Sequence, residues 1–151
     1  MNFDNIFREQ VKKAVIILSR EIEVAKIDSR GIRIIEEIYR NTEDKRIIEL
    51  PFSFPRYLYQ NTLSKFIEPI YVIYESKHSK DWKVEAIQKN RSTLESRKLF
   101  PENWRGFLTN QIGLEKITGI PDIVFCHRNG FLLAVKSKEG AMKLAELALL
   151  V

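Results

Sequence analysis

Cysteine is nearly absent from this chain: Cys126 stands alone among 151 residues. One thiol excludes an internal disulfide and a cysteine-based metal cluster. It lies in the apolar run from Ile123 to His127, which predicts a buried structural thiol and a reducing, cytoplasmic setting. Histidine is scarce as well. His78 and His127 are far apart, with no carboxylates at metal-ligand spacing around either. No run approaches the ~18 apolar residues of a membrane span. The opening MNFDNIFREQVKK has no continuous apolar core, so no signal peptide is expected. Phosphate-cradling glycine loops, HExxH, DxD and GxSxG are all missing, and no catalytic residue is assigned.

What is present suits one soluble domain spanning 1–151. Hydrophobic residues at 44% are too many for a disordered chain. The net charge of +5 is unevenly placed. Residues 77–105 carry eight Lys or Arg against four Asp or Glu, whereas residues 1–76 carry twelve of each. A local positive field favours phosphate-bearing partners. The competing reading is a solvated lysine-rich surface.

Apolar spacing of three and four predicts a helix over 3–27 (Phe3, Phe7, Val11, Ala14, Val15, Leu18, Ile22). Asp28-Ser29 is expected to end it and cap a second helix over about 30–40. Short strands are predicted at Arg46–Leu50, Ile70–Tyr74, Trp82–Gln88, Ile123–His127 and Phe131–Lys136. A helix is expected within Tyr57–Phe66, a helix or turn at Ser92–Leu99, and a short helix at Asn110–Ile117. Asn129-Gly130 predicts a tight turn with positive φ. Ser137 is the expected cap of a last helix, whose buried stripe is Ala141, Leu144, Ala145 and Ala148. Two antiparallel hairpins without βαβ alternation indicate an α+β fold: a mainly antiparallel sheet with helices packed on it, on one face.

The densest run of special residue types is Arg97–Ala145. Within it, Trp104-Arg105-Gly106 is either a packed corner or, with Arg97 and Lys98, part of an anion site. Lys136 and Ser137 surround a helix start whose N–H groups suit phosphate, or are an ordinary cap. His127 beside the turn is structural or a ligand contact. The ligand-binding candidates are therefore Arg97, Trp104, Arg105, His127, Lys136 and Ser137.

These residues resemble a signature of the melanocyte-proliferating-gene family: R-x-x-L-P-x-x-W-R-G, then G-I-P, F-x-H-x-x-G-F-I-G-G-x-K-T and E-G-A-x-x-M-A. Arg97, Phe100 (Leu in the pattern), Pro101, Trp104, Arg105 and Gly106 match its first part. Gly119, Ile120, Pro121, Phe125, His127, Gly130, Phe131, Lys136, Ser137, Glu139, Gly140, Ala141 and Ala145 match the rest. Trp82-Lys83-Val84 agrees more loosely with an upstream W-R-V strand.

The resemblance implies the C-terminal half of a DHH-superfamily phosphoesterase, a group of metal-dependent hydrolases that includes 3′-to-5′ RNA exonucleases. It places the divalent metal and its Asp and His ligands in an N-terminal half. No Asp-His-His occurs here, so the chain is expected to hold no cofactor and not to hydrolyse phosphodiesters alone. Leu133-Ala134 replaces the family's paired glycines, and side chains at 133–135 are expected to crowd a ligand phosphate. Two roles follow. The first is a non-catalytic substrate-binding or accessory domain for a nucleic acid or nucleotide. The second is an interaction module whose apolar helices pack on a separate DHH-type subunit or a second copy. Neither role involves a membrane.

Overall fold

The computed structural model describes residues 3–108 and 113–151. Helix α1 runs unbroken from Phe3 to Asn41, rather than as two helices meeting at Asp28-Ser29. No proline interrupts it, and the Asp28 carboxylate accepts from the Tyr57 hydroxyl at 2.8 Å instead of capping a helix start. Gly31 costs a helix interior about 1 kcal/mol relative to Ala. It is used here because a Cβ would stand 2.5 Å from Leu58 Cδ2, so glycine lets the helix approach its neighbour. Only Gly31, Ile35 and Tyr39 of α1 are buried, and every residue from Phe3 to Ile27 is exposed.

Strand β1 (Ile47–Glu49) ends at Leu50-Pro51, and Pro55 stands at the cap position of helix α2 (Arg56–Leu63). Strands β2 (Tyr71–Glu75) and β3 (Trp82–Ala86) form the first hairpin. A 3₁₀ turn at Glu102–Trp104 and helix α3 (Gly113–Thr118) precede β4 (Ile123–Cys126), β5 (Leu132–Val135) and helix α4 (Lys138–Leu150). Of the helix expected at Asn110–Ile117, the part before Gly113 lies outside the described residues. Ser92–Leu99 forms no helix; Ser96 bridges to Gln88 instead.

The sheet order is β1-β2-β3-β5-β4. Every pairing is antiparallel except β1 with β2, which run parallel. That pair is a β-α-β crossover through α2, which the strand and turn signals did not predict. The fold is α+β with a mixed, mostly antiparallel sheet.

Alternation along the strands creates two cores. Ile47, Tyr71, Ile73, Val84, Leu133 and Val135 face one way, together with Leu144, Ala145 and Ala148 of α4. Ile48, Val72 and Ile87 face the other way, with Ile35 and Tyr39 of α1 and Leu58, Tyr59 and Leu63 of α2. Helices therefore lie on both faces of the sheet, not one. The second face is covered unevenly: α1 meets the sheet mainly at β1, and α4 contacts β1, β2, β3 and β5 from the opposite side.

Candidate functional site

The six residues singled out from the sequence do not converge. The Arg97 guanidinium donates to three backbone carbonyls, Ser64 at 2.9 Å, Pro69 at 2.8 Å and Ile67 at 3.1 Å. It fastens the loop after α2 to the segment after β3, and burial lowers its pKa against the opposing effect of Glu68. Trp104 is buried and stacks on Phe100, 6.2 Å between ring centroids. Arg105 donates from Nε to the Phe100 carbonyl at 2.8 Å. Backbone bonds Phe100 N–H to Gly130 O and Gly106 N–H to Cys126 O join this corner to the β4–β5 hairpin.

His127 Nδ1 accepts from the Asn129 N–H at 3.1 Å, and the ring leans on Phe131. Gly130 has φ of +70° while Asn129 does not lie at positive φ. The turn is thus a bend over Arg128-Asn129 closed by Gly130 N–H to His127 O, with glycine in the left-handed position. Ser137 caps α4, accepting from Gly140 N–H at 3.0 Å. Lys136 is exposed. His127 and Lys136 lie at opposite ends of β5, about 13 Å apart along a four-residue strand. Leu133 and Val135 fill the α4-side core, and Ala134, between them in the alternation, presents only a methyl to the other face.

That other face carries a cavity of about 860 Å³, lined from Phe54 through Arg56, Tyr59, Glu85 and Gln88 to Phe131 and Leu132. Where α1 and α2 stop covering the sheet, β3 and β5 supply its floor, with Glu85 paired to Leu132. Glu85 is 2% exposed. Its Oε1 accepts from Arg56 Nε at 2.6 Å and Gln60 Nε2 at 3.0 Å. Its Oε2 accepts from the Tyr59 hydroxyl at 2.6 Å and the Tyr74 hydroxyl at 3.3 Å. Four donors fill the carboxylate's four acceptor positions. Burial and then Glu85 push the Tyr74 phenol up to about 12, and push Tyr59 still further in the same direction. Both phenols therefore stay protonated donors.

Sequence reasoning missed this cluster. The strand predicted over Trp82–Gln88 contains Glu85. Nothing in the spacing showed that Arg56, Tyr59 and Gln60, which precede it by 29, 26 and 25 residues, would meet it. Burial pushes the Cys126 thiol up to about 12, consistent with the structural role expected for it. Among the described residues no three His, Cys, Asp or Glu side chains form a metal-ligand set. No helix among them is long and apolar enough to cross a membrane.

The human protein "MYG1 exonuclease" is 29% identical over 99 residues, covering 66% of this chain and 26% of the human one. The Saccharomyces cerevisiae "MYG1 protein YER156C" is 31% identical over 107 residues, 69% of this chain and 31% of its own length. The Schizosaccharomyces pombe "MYG1 protein C694.04c" is 35% identical over 79 residues, 52% of this chain and 23% of its own. The chain thus matches between about a quarter and a third of the length of these relatives. No solved structure matches it. The family model described as "Uncharacterised protein family (UPF0160)" matches residues 1–149, and the chain belongs to this MYG1 exonuclease family.

Proposed function

We propose that this chain is a non-catalytic accessory module of the MYG1 family, seated by α1 on the portion of MYG1-type proteins that it does not match. The observation behind this reading is the exposed half of α1. Phe3, Phe7, Val11, Val15, Leu18 and Ile22 are between 44% and 75% exposed, at spacings that form one stripe. Exposed apolar stripes of this extent mark interaction surfaces. By the family resemblance, the unmatched portion is the DHH-type, metal-bearing half, and hydrolysis belongs to it.

The test is co-purification. The part of the human relative outside the matched 99 residues is expressed separately and mixed with this chain. A stable complex is expected, and Val15→Glu with Leu18→Glu should abolish it without lowering the melting temperature. Failure of the wild-type chain to bind, or undiminished binding by the double variant, overturns the reading.

Binding of a nucleic-acid backbone is the second reading. It is favoured by Lys77, Lys80 and Arg91, which are exposed and have no acidic partner among the described residues. Titration with single-stranded RNA at increasing salt tests it, because every phosphate the protein neutralises makes affinity fall more steeply with salt. An affinity independent of salt, or unchanged in the triple alanine variant, rules it out.

A further inference from the structure

We infer that the cavity over β3 and β5 is a binding site for a small organic monocarboxylate with a flat apolar body. This goes beyond the accessory role and does not depend on it. The cavity volume of about 860 Å³ falls within the range of small-molecule sites. Its apolar surface comes from Phe54, Leu99, Phe131 and Leu132, the last two half-buried and open to the cavity.

The polar side of the site is built around an occupied hub. Glu85 has no acceptor position left for a ligand, and its function there is to fix Arg56. Only Nε of Arg56 is engaged, and neither Nη makes a hydrogen bond among the described residues. The guanidinium carbon lies 5.9 Å from the Phe131 ring centroid, so the cation sits beside the apolar wall. A guanidinium with both Nη groups available presents parallel donors at the spacing of a carboxylate's two oxygens. Gln88 is the second polar group. It is 7% exposed, lines the cavity, and its carboxamide forms no hydrogen bond among the described residues. The carboxamide is not among the buried atoms shut off from solvent, so it is open to a ligand atom entering the cavity.

Charge selects the anion. Arg56 is already balanced by Glu85, and Glu95 on the rim is paired with Lys89. A dianionic phosphate would bring two charges to two cations that carboxylates already neutralise, whereas a monocarboxylate brings one and replaces one hydration partner of the fork. The body must be flat and apolar to lie between Phe131 and the Phe54–Leu99 side.

The probes are naphthoate, naphthalenemethanol and naphthyl phosphate, titrated calorimetrically into the full chain. Wild type is expected to bind naphthoate at least about tenfold more tightly than either of the others. Arg56→Gln keeps a donor for Glu85 but lacks the charge, and should bind acid and alcohol alike. Leu99→Trp fills the cavity from a position 39% exposed and outside any strand, and should lose naphthoate. Thermal melting of both variants within a few degrees of wild type confirms that they fold. The inference is overturned by absence of saturable naphthoate binding, by equal affinity for acid and alcohol, by tighter binding of the phosphate, or by unchanged binding in folded Leu99→Trp.

Discussion

Arg105 lies across the glycine of the β4–β5 turn so closely that a Cβ on Gly130 would stand 2.5 Å from its Nε. The contact joins two separate parts of the family signature, the Trp-Arg-Gly corner and the Asn-Gly turn. The arginine closes the corner by donating to Phe100 O, the Phe100 N–H donates in turn to Gly130 O, and the glycine leaves room for the arginine stem.

Gly130→Ala is therefore expected to destabilise the chain by about 2 kcal/mol, since a left-handed φ disfavours any Cβ and the arginine stem must also shift. Chemical denaturation measures this. A loss below about 0.5 kcal/mol would mean that the turn and Arg105 relax together at little cost.

Arg97→Ala should lower stability by about 2–3 kcal/mol, because three carbonyls lose a charged donor. Arg97→Lys should recover only part of this, as an ammonium cannot reproduce the planar fork. If the loss instead appears only in ligand binding, with denaturation unchanged, the structural assignment of Arg97 is wrong.

The Tyr71 hydroxyl is buried and has no hydrogen-bond partner among the described residues, beneath a ring stacked on Phe100 at 5.1 Å. Tyr71→Phe removes an unsatisfied group while keeping the ring. It is expected to leave stability unchanged or raise it by about 1 kcal/mol. A melting temperature several degrees below wild type would reveal a partner for that oxygen.

The Cys126 thiol, pushed up to about 12 mainly by burial, holds very little thiolate at pH 8. A raised thiol pKa suppresses the nucleophile until pH approaches it. Thiol-exchange labelling of the native chain should be at least about 100-fold slower than in denaturant, and should accelerate as pH rises. Labelling at the rate of an exposed thiol would contradict the burial of β4.

Glu85→Leu offers the sharpest test of the buried hub. It removes the acceptor of the Tyr74 hydroxyl and Arg56 Nε and leaves the Tyr59 hydroxyl only Tyr74 and the Gln60 amide only the Ala86 carbonyl, and should cost about 3 kcal/mol. Glu85→Gln, which retains acceptors, should cost less. Equal costs for the two would show that packing volume, not hydrogen bonding, dominates there.

Local signals carried much of the fold. Short β-branched, aromatic and apolar runs located the strands, and Ser137 marked the start of α4, because each depends on residues within a few positions. The signature from Arg97 to Ala145 identified the family, since its glycines, Trp104 and Arg105 meet specific backbone and packing demands. The supposed helix break at Asp28-Ser29 misread residues whose side chains turn outward, one to Tyr57, while Gly31 answers a contact with distant Leu58.

The sequence by itself determined the α+β character, the family, and the apolar spacing along the first part of α1, all encoded in short-range pattern; that this stripe stays exposed was decided by the tertiary structure. Only the tertiary structure decided where the candidate residues lie and what they touch. Arg97, Trp104, Arg105 and Ser137 proved to be fastened internally, because their partners are carbonyls, rings and amides that spacing cannot reveal. The same is true of the cavity: Glu85 became its anchor only when a crossover helix brought Arg56, Tyr59 and Gln60 over the floor of β3.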